Sequence, residues 1–266
     1  MKRFIEAFEE VVQCRSGHPA VTDAEQTLCY TELWHRVKVL SKNFEGKTER
    51  LILLQGKRGI GLVTQALACW RAGGVPLLLS DRLPERRKQE LATLAERETL
   101  PKQIEYAVTT SGSSGRPKVV LLYRGSLLTT LKRQIEAFRI SARARVLWML
   151  SPTFDASLSD IGTALLAGAH LICAPEGVET GLPKTVSDHR ITHLDIPPCI
   201  LSLLHPGELP SHLRTLVVGG EPSDPATLRA WAKHHRVVSV YGPSEATICT
   251  SISVVDESWD SPYLGL

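Results

Sequence analysis

The sequence contains no C-x-x-C pair, no Walker phosphate loop, no G-x-S-x-G elbow and no apolar run near the ~20 residues of a membrane span. Each absence removes a class of function. The six cysteines stand apart at positions 14, 29, 69, 173, 199 and 249, mostly in apolar segments where a free thiol acts as a small hydrophobe. They predict a reduced, cytoplasmic setting. Lys2 and Arg3 open the chain, but Glu6, Glu9 and Glu10 interrupt the apolar residues that follow, which is no signal peptide. The formal charge is only +3, with Lys and Arg mixed among Asp and Glu. The richest basic stretch, Arg82 to Lys88, also holds Glu85 and reads as the solvated face of a helix, so nucleic acid is not an expected partner. His189 and His193 have helical spacing for a metal, but their segment reads as a strand and offers no third ligand.

What is present is alternation. The 266 residues are 43% hydrophobic, enough for a substantial core. Short apolar runs alternate with amphipathic stretches. Strands are predicted at 51–54, 75–79, 106–109, 119–123, 146–150, 170–173, 193–196, 213–218 and 237–241. Helices are predicted at 59–71, 84–97, 126–138, 156–167, 198–204 and 225–235, with Gly73-Gly74 stopping the first. Strands alternating with helices imply an α/β fold of layered, mostly parallel sheets covered by helices, in three layers. The linker-like stretch near 98–104 divides the chain into a first sub-sheet, 1–104, and a second, 105–266.

The sharpest feature is the run Thr109 to Lys118, with glycines at 112 and 115 and hydroxyls between. Glycines let backbone N–H groups turn toward an anion, and Arg116 and Lys118 add charge. Together these suit a triphosphate; the alternative is a flexible polar hairpin.

Six segments in order then resemble the adenylate-forming (acyl- or aminoacyl-AMP ligase) superfamily, and within it the amino-acid adenylation domains of nonribosomal peptide synthetases. Thr110 to Lys118 looks like its TSG[ST]TG-x-PKG loop, with Val119 where the last Gly usually stands. Leu28–Leu33 and Trp70–Leu77 before that loop, and Phe154–Ser157, Val218–Glu221 and Tyr241–Glu245 after it, match its other motifs, the last as Y-G-P-[ST]-E. The resemblance implies ATP and Mg²⁺. Thr110, Ser111, Gly112, Ser113, Ser114, Gly115 and Lys118 would meet the phosphates. Gly219, Gly220, Glu221, Gly242 and Ser244 would line the nucleotide, Tyr241 would stack on adenine, and Glu245 would hold Mg²⁺. Thr110, Lys118 and Glu245 are the expected catalytic groups.

In the family, the Asp of F-D-x-S pairs with the substrate's α-ammonium group, the role implied for Asp155; the local alternative is a helix N-cap. The side-chain pocket would comprise Ala156, Ser159, Asp195, Val217, Gly219, Val240, Ile248 and Cys249. A carboxylate at Asp195 would favour a basic or amide side chain, unless it caps the following helix. The implied reaction is amino-acid adenylation with release of pyrophosphate, then loading onto the phosphopantetheine thiol of a carrier protein. A C-terminal lid domain, carrying the family's remaining motifs, is an expected further partner. The segment between Pro76 and Tyr106 is short for the family. The rival readings are an acyl or aryl acid–CoA ligase, and a catalytically incomplete module that binds nucleotide or carrier protein.

Overall fold

The computed structural model describes residues 2–95, 100–111 and 117–260. In chain order the elements are α1 (Phe4–Arg15), β1 (Pro19–Thr22), β2 (Thr27–Cys29), α2 (Tyr30–Ser41), β3 (Leu51–Gly56), α3 (Ile60–Arg71), β4 (Val75–Ser80), α4 (Glu85–Ala95), β5 (Ile104–Ser111) and β6 (Pro117–Tyr123). There follow α5 (Ser126–Phe138), β7 (Arg145–Trp148), α6 (Ala156–Leu166), β8 (His170–Cys173), α7 (Leu182–Asp188), β9 (His193–Ile196), α8 (Pro198–Leu201), β10 (Thr215–Gly219), α9 (Pro225–Ala232), β11 (Arg236–Tyr241) and β12 (Ser251–Val254).

The strands form two sheets, ordered β12-β11-β10-β9-β7-β8-β1-β2 and β3-β4-β5-β6. Pairing is parallel except at β11–β12, β1–β2 and β5–β6. The sheets interleave along the chain. β1 and β2 join the large sheet through the parallel pairing of Val21 with Leu171, and β5 and β6 join β3 and β4. A cut after residue 104 therefore separates neither sheet from the other.

Alternation along each strand explains the layering. On β7, Val146 and Trp148 face one core, Leu147 faces another; on β10, Val217 and Leu216 divide the same way. The first core is shared. It joins Leu54, Leu78 and Val108 of the small sheet to Val146, Leu171 and Val217 of the large one, through residues of α1, α2, α3, α5 and α6. The outer face of the large sheet packs on α7 and α9, and that of the small sheet on α4 through Leu91. The arrangement is thus five layers, helix–sheet–helix–sheet–helix, rather than three.

The middle layer is tied by a buried carboxylate. Glu105 accepts from the backbone N–H of Phe4 at 2.8 Å and of Gly125 at 3.1 Å, so it holds the start of α1 and of α5 on β5. The expected stop of α3 is present: Gly73 has φ +84°, and the Gly74 N–H donates to the Cys69 carbonyl at 3.0 Å. None of the six cysteines is bridged, and no helix among the described residues is long and apolar enough to cross a membrane.

Candidate active site

In the large sheet, β8 lies on one side of β7 and β9 on the other. The strand order reverses there, and open α/β sheets place ligand crevices beyond the carboxyl ends of strands at such a point. The predicted residues collect at that end. Asp195 on β9 is in register with Val217 on β10, and Gly219 with Val240 on β11. Asp155, Ala156 and Ser159 open α6, which follows β7. The segment from Tyr241 to Cys249 folds back over β11, and a Cβ on Gly242 would lie 2.4 Å from the Cys249 Cα.

Thr110 on β5 stands opposite Lys118 on β6, the two ends of an antiparallel hairpin. Gly112, Ser113, Ser114, Gly115 and Arg116 lie outside the described residues, as does the Ser111 side chain. Lys118 Nζ sits 3.5 Å from Glu245 Oε1, so the expected phosphate cation and the expected Mg²⁺ carboxylate face each other. A cleft of about 770 Å³ lies at the carboxyl ends of strands from both sheets. Of the predicted residues, Thr110 and Ser244 line it, together with Phe154, Lys57, Arg58 and Arg82. Tyr241 and Glu221 are exposed. Gly220, at φ +84°, makes the turn after β10.

Asp155 occupies the N-cap position of α6, but its side chain makes no capping hydrogen bond. Burial raises its carboxyl above the usual range; the nearby Ser244 hydroxyl lowers it in part, and the charge of Glu245 raises it further. No cation among the described residues is paired with it. Asp195 does not cap α8, whose N-cap is Pro197. Burial, helped by the charge of Asp155, pushes Asp195 up to about 7.

Four residues of the neighbourhood, Asp160, Tyr106, Thr247 and Gln134, escape the sequence reading, and the predicted Ile248 carries a backbone strain that reading does not foresee. Asp160, one turn beyond Ala156, is buried, with Oδ2 unpartnered; burial and the charge of Asp195 raise its carboxyl. Tyr106 is fully buried on β5, close enough to Asp155 to feel its charge. Thr247 and Ile248 are both β-branched and both have positive φ, +67° and +70°. No sequence signal marks that strain. Gln134 on α5 also lies here, and its signal was legible: it interrupts an apolar stripe of Leu127, Leu131 and Phe138.

An open, mostly parallel sheet whose strand order reverses, with the predicted residues gathered at its carboxyl edge, places the chain in the doubly wound α/β class. The profile of the AMP-binding enzyme family matches residues 88–265, and the chain belongs to that family. Novobiocin biosynthesis protein H of Streptomyces niveus is 30% identical over 93% of this chain and 50% of its own length. The probable non-canonical nonribosomal peptide synthetase CymA of Salinispora arenicola is 32% identical over 92% of this chain and 4% of its own. The chain therefore spans about half of the first relative and a small part of the synthetase. Alignment to the Streptomyces protein runs over 301 positions, more than the 266 residues here, so that relative carries residues without counterpart in this chain. The N-terminal subdomain of Klebsiella oxytoca NpsA, solved with 3-hydroxyanthranilyl-AMSN, superposes with a TM-score of 0.86 over 96% of this chain and 76% of that one, at 20% identity. The fold is that of the NpsA N-terminal subdomain, and by family the chain is an AMP-binding enzyme.

Proposed function

We propose that this chain activates an amino acid: the substrate carboxylate attacks the α-phosphorus of ATP, the bond to the β-phosphate bridge oxygen breaks, and aminoacyl-AMP and pyrophosphate result. The carrying observation is Asp155. A half-buried carboxylate with no cation among the described residues paired to it is costly unless a ligand supplies one, and an α-ammonium group does so. An acid without an amine leaves that cost in place.

Thr110 and Lys118 would hold phosphate oxygens, with the hairpin between them, and Tyr241 would stack on adenine. Glu245 offers hard carboxylate oxygens beside that phosphate path, which suits Mg²⁺. When bound, Mg²⁺ supplies neutralisation of the phosphate charge. Separation from Glu245 frees Lys118 to meet the triphosphate. A carrier-protein thiol would receive the aminoacyl group, with a C-terminal lid domain completing the site.

The test is amino-acid-dependent ATP–pyrophosphate exchange over the standard amino acids and ornithine, with and without a relative's lid domain added in trans. Exchange with one or a few amino acids, abolished in Asp155→Ala, supports the reading. Exchange only with acids lacking an amine overturns it in favour of an acyl or aryl ligase. Nucleotide binding without exchange under either condition overturns it in favour of a binding module.

A further inference from the structure

Arg58 stands between β3 and α3, at the cleft, and reaches from the small sheet to the large one. Its guanidinium donates to the main-chain carbonyl of Met149, to that of Ala174 at 3.3 Å and to that of Pro175 at 3.0 Å. Met149 follows β7, and Ala174 and Pro175 follow β8. The chain leaves β7 for α6, which packs in the shared core, and leaves β8 for α7, which packs on the outer face. Carbonyls where two neighbouring strands part in this way have no ladder to continue, and they need other donors. A planar fork of donors meets three of them at once, which a lysine ammonium does not match in shape. Burial opposes the guanidinium charge, and the carboxylates of Glu179 and Glu176 offset part of that cost.

The loop so gripped leads from Met149 to Asp155, the group proposed above to meet the amine. A second tie from the small sheet holds its middle: the Ser80 N–H, at the end of β4, donates to Thr153 Oγ1 at 3.0 Å. The Phe154 N–H donates to the Ser151 carbonyl at 3.0 Å, and Asp155 then opens α6. The charge of Arg58 also reaches Asp160 on that helix. Asp155 thus hangs from the large sheet, whereas the β5–β6 hairpin with Thr110 and Lys118 belongs to the small one. Attack on the α-phosphorus needs both ends of the substrate held at one separation, and a displacement of ~1 Å costs about 100-fold in rate. The shared core fixes the sheets below; Arg58 fixes the loop at the edge where the reacting atoms meet.

We infer that Arg58 is a positioning residue: by holding the loop from Met149 to Asp155 against the small sheet, it sets Asp155 in register with the phosphate hairpin, so that one bound molecule meets both. This rests on the adenylation reading and deepens it. All three guanidinium nitrogens already donate to main-chain carbonyls, and Arg58 acts through Asp155.

The test is a double-mutant cycle on binding, read by calorimetry with the full chain. The ligands are AMP and non-hydrolysable aminoacyl-sulfamoyl adenosines over the standard amino acids and ornithine, the tightest of which is carried through the cycle. Arg58→Met keeps an unbranched apolar stem and removes the donors. It is expected to weaken the analogue about tenfold and AMP by less than about twofold, the scale of coupling between residues in one network. Asp155→Ala also weakens the analogue, and adding Arg58→Met to it costs little more, because a group already absent cannot be misplaced. Arg58→Lys, which keeps the charge and not the fork, loses an intermediate amount and carries the cycle if Arg58→Met does not fold. Additive losses overturn the inference, since Arg58 then acts independently of Asp155. An AMP loss equal to that of the analogue overturns it too, since Arg58 then serves the fold or meets the nucleotide directly. If no analogue binds the unaltered chain more tightly than AMP, the adenylation reading falls and takes this inference with it. If one does and Arg58→Met leaves its affinity unchanged, only the inference falls.

Discussion

At the scale of single residues, the site is organised around Asp155 and Asp195, two acids with which no cation among the described residues is paired. Asp195 makes this measurable. Its folded value of about 7 stands above the ~3.9 of an ordinary aspartate, so between those values the folded chain holds a proton that the unfolded chain has lost. Stability contributed by that proton is present at low pH and falls as pH rises through this window. The cost is complete above about 7. Asp195→Asn should therefore raise the thermal midpoint at pH 8, by on the order of 2 kcal/mol of stability, and change little at pH 4. Differential scanning calorimetry at the two values decides it; an equal effect at both would place the shift elsewhere. Substrate binding gives the opposite sign. A cationic side chain favours the ionised carboxylate, so the affinity of an ornithyl or lysyl adenylate analogue should rise with pH through about 7, while that of the alanyl analogue does not follow. At Asp155, Asn should weaken amino-acid-dependent binding by 1–3 kcal/mol, roughly tenfold to a hundredfold, with ATP binding nearly retained. Equal losses for both ligands would mean that Asp155 serves the fold and not the amine.

At the scale of elements, the segment Tyr241–Cys249 is tightly constrained: its motif is visible in the sequence, but its close return and the positive φ of Thr247 and Ile248 are not. Its close return onto β11 leaves no space at Gly242, where a Cβ would meet the Cys249 Cα at 2.4 Å and the Thr250 nitrogen at 2.8 Å. These are backbone atoms and cannot rotate away. Gly242→Ala should cost about 2–4 kcal/mol and displace Ile248 and Cys249 from the pocket; a chain that keeps its unfolding midpoint and its substrate affinity would refute the close approach. Elements with strong local periodicity were legible. Leu127, Leu131, Gln134 and Phe138 repeat along one face of α5, and its predicted bounds, 126–138, are those observed. β8 and β9 likewise begin and end where their apolar runs do. Others carry too little local signal. β1 and β2 are four and three residues long, below the length at which alternation is distinguishable, and their place is set by pairing with β8, far along the chain. α2 has helical spacing in Tyr30, Leu33, Trp34 and Val37, within and just beyond the Leu28–Leu33 motif. The site follows the same rule. Motif residues give its position, and Gln134 shows as a polar break in the α5 stripe, whereas Asp160 and the paired positive-φ residues depend on what the fold brings beside them.

At the scale of the whole molecule, the shared core decides how the chain unfolds. A division at residue 104 would make two separable units. The observed core instead joins residues of both sheets through five helices, and each sheet takes strands from both sides of that position. Neither half can bury its inner face alone, and a sheet so exposed is not independently stable. The chain should therefore unfold in one transition. Trp70 on α3 reports on the middle layer, and Trp231 on α9 reports on the far face of the large sheet. Single-tryptophan variants retaining one or the other should give coincident urea curves, superimposable on far-ultraviolet circular dichroism. Leu67→Ala, in the fully buried stripe of α3, should lower the stability seen by both probes equally, by about 2–5 kcal/mol. Separate midpoints, or a loss seen by Trp70 alone, would mean that the two sheets are independent and that the pocket between them is assembled by docking rather than by folding. Coincidence would mean that Asp155, Asp195 and the β5–β6 hairpin are fixed relative to one another before any ligand arrives, because the core that supports them forms in the same step.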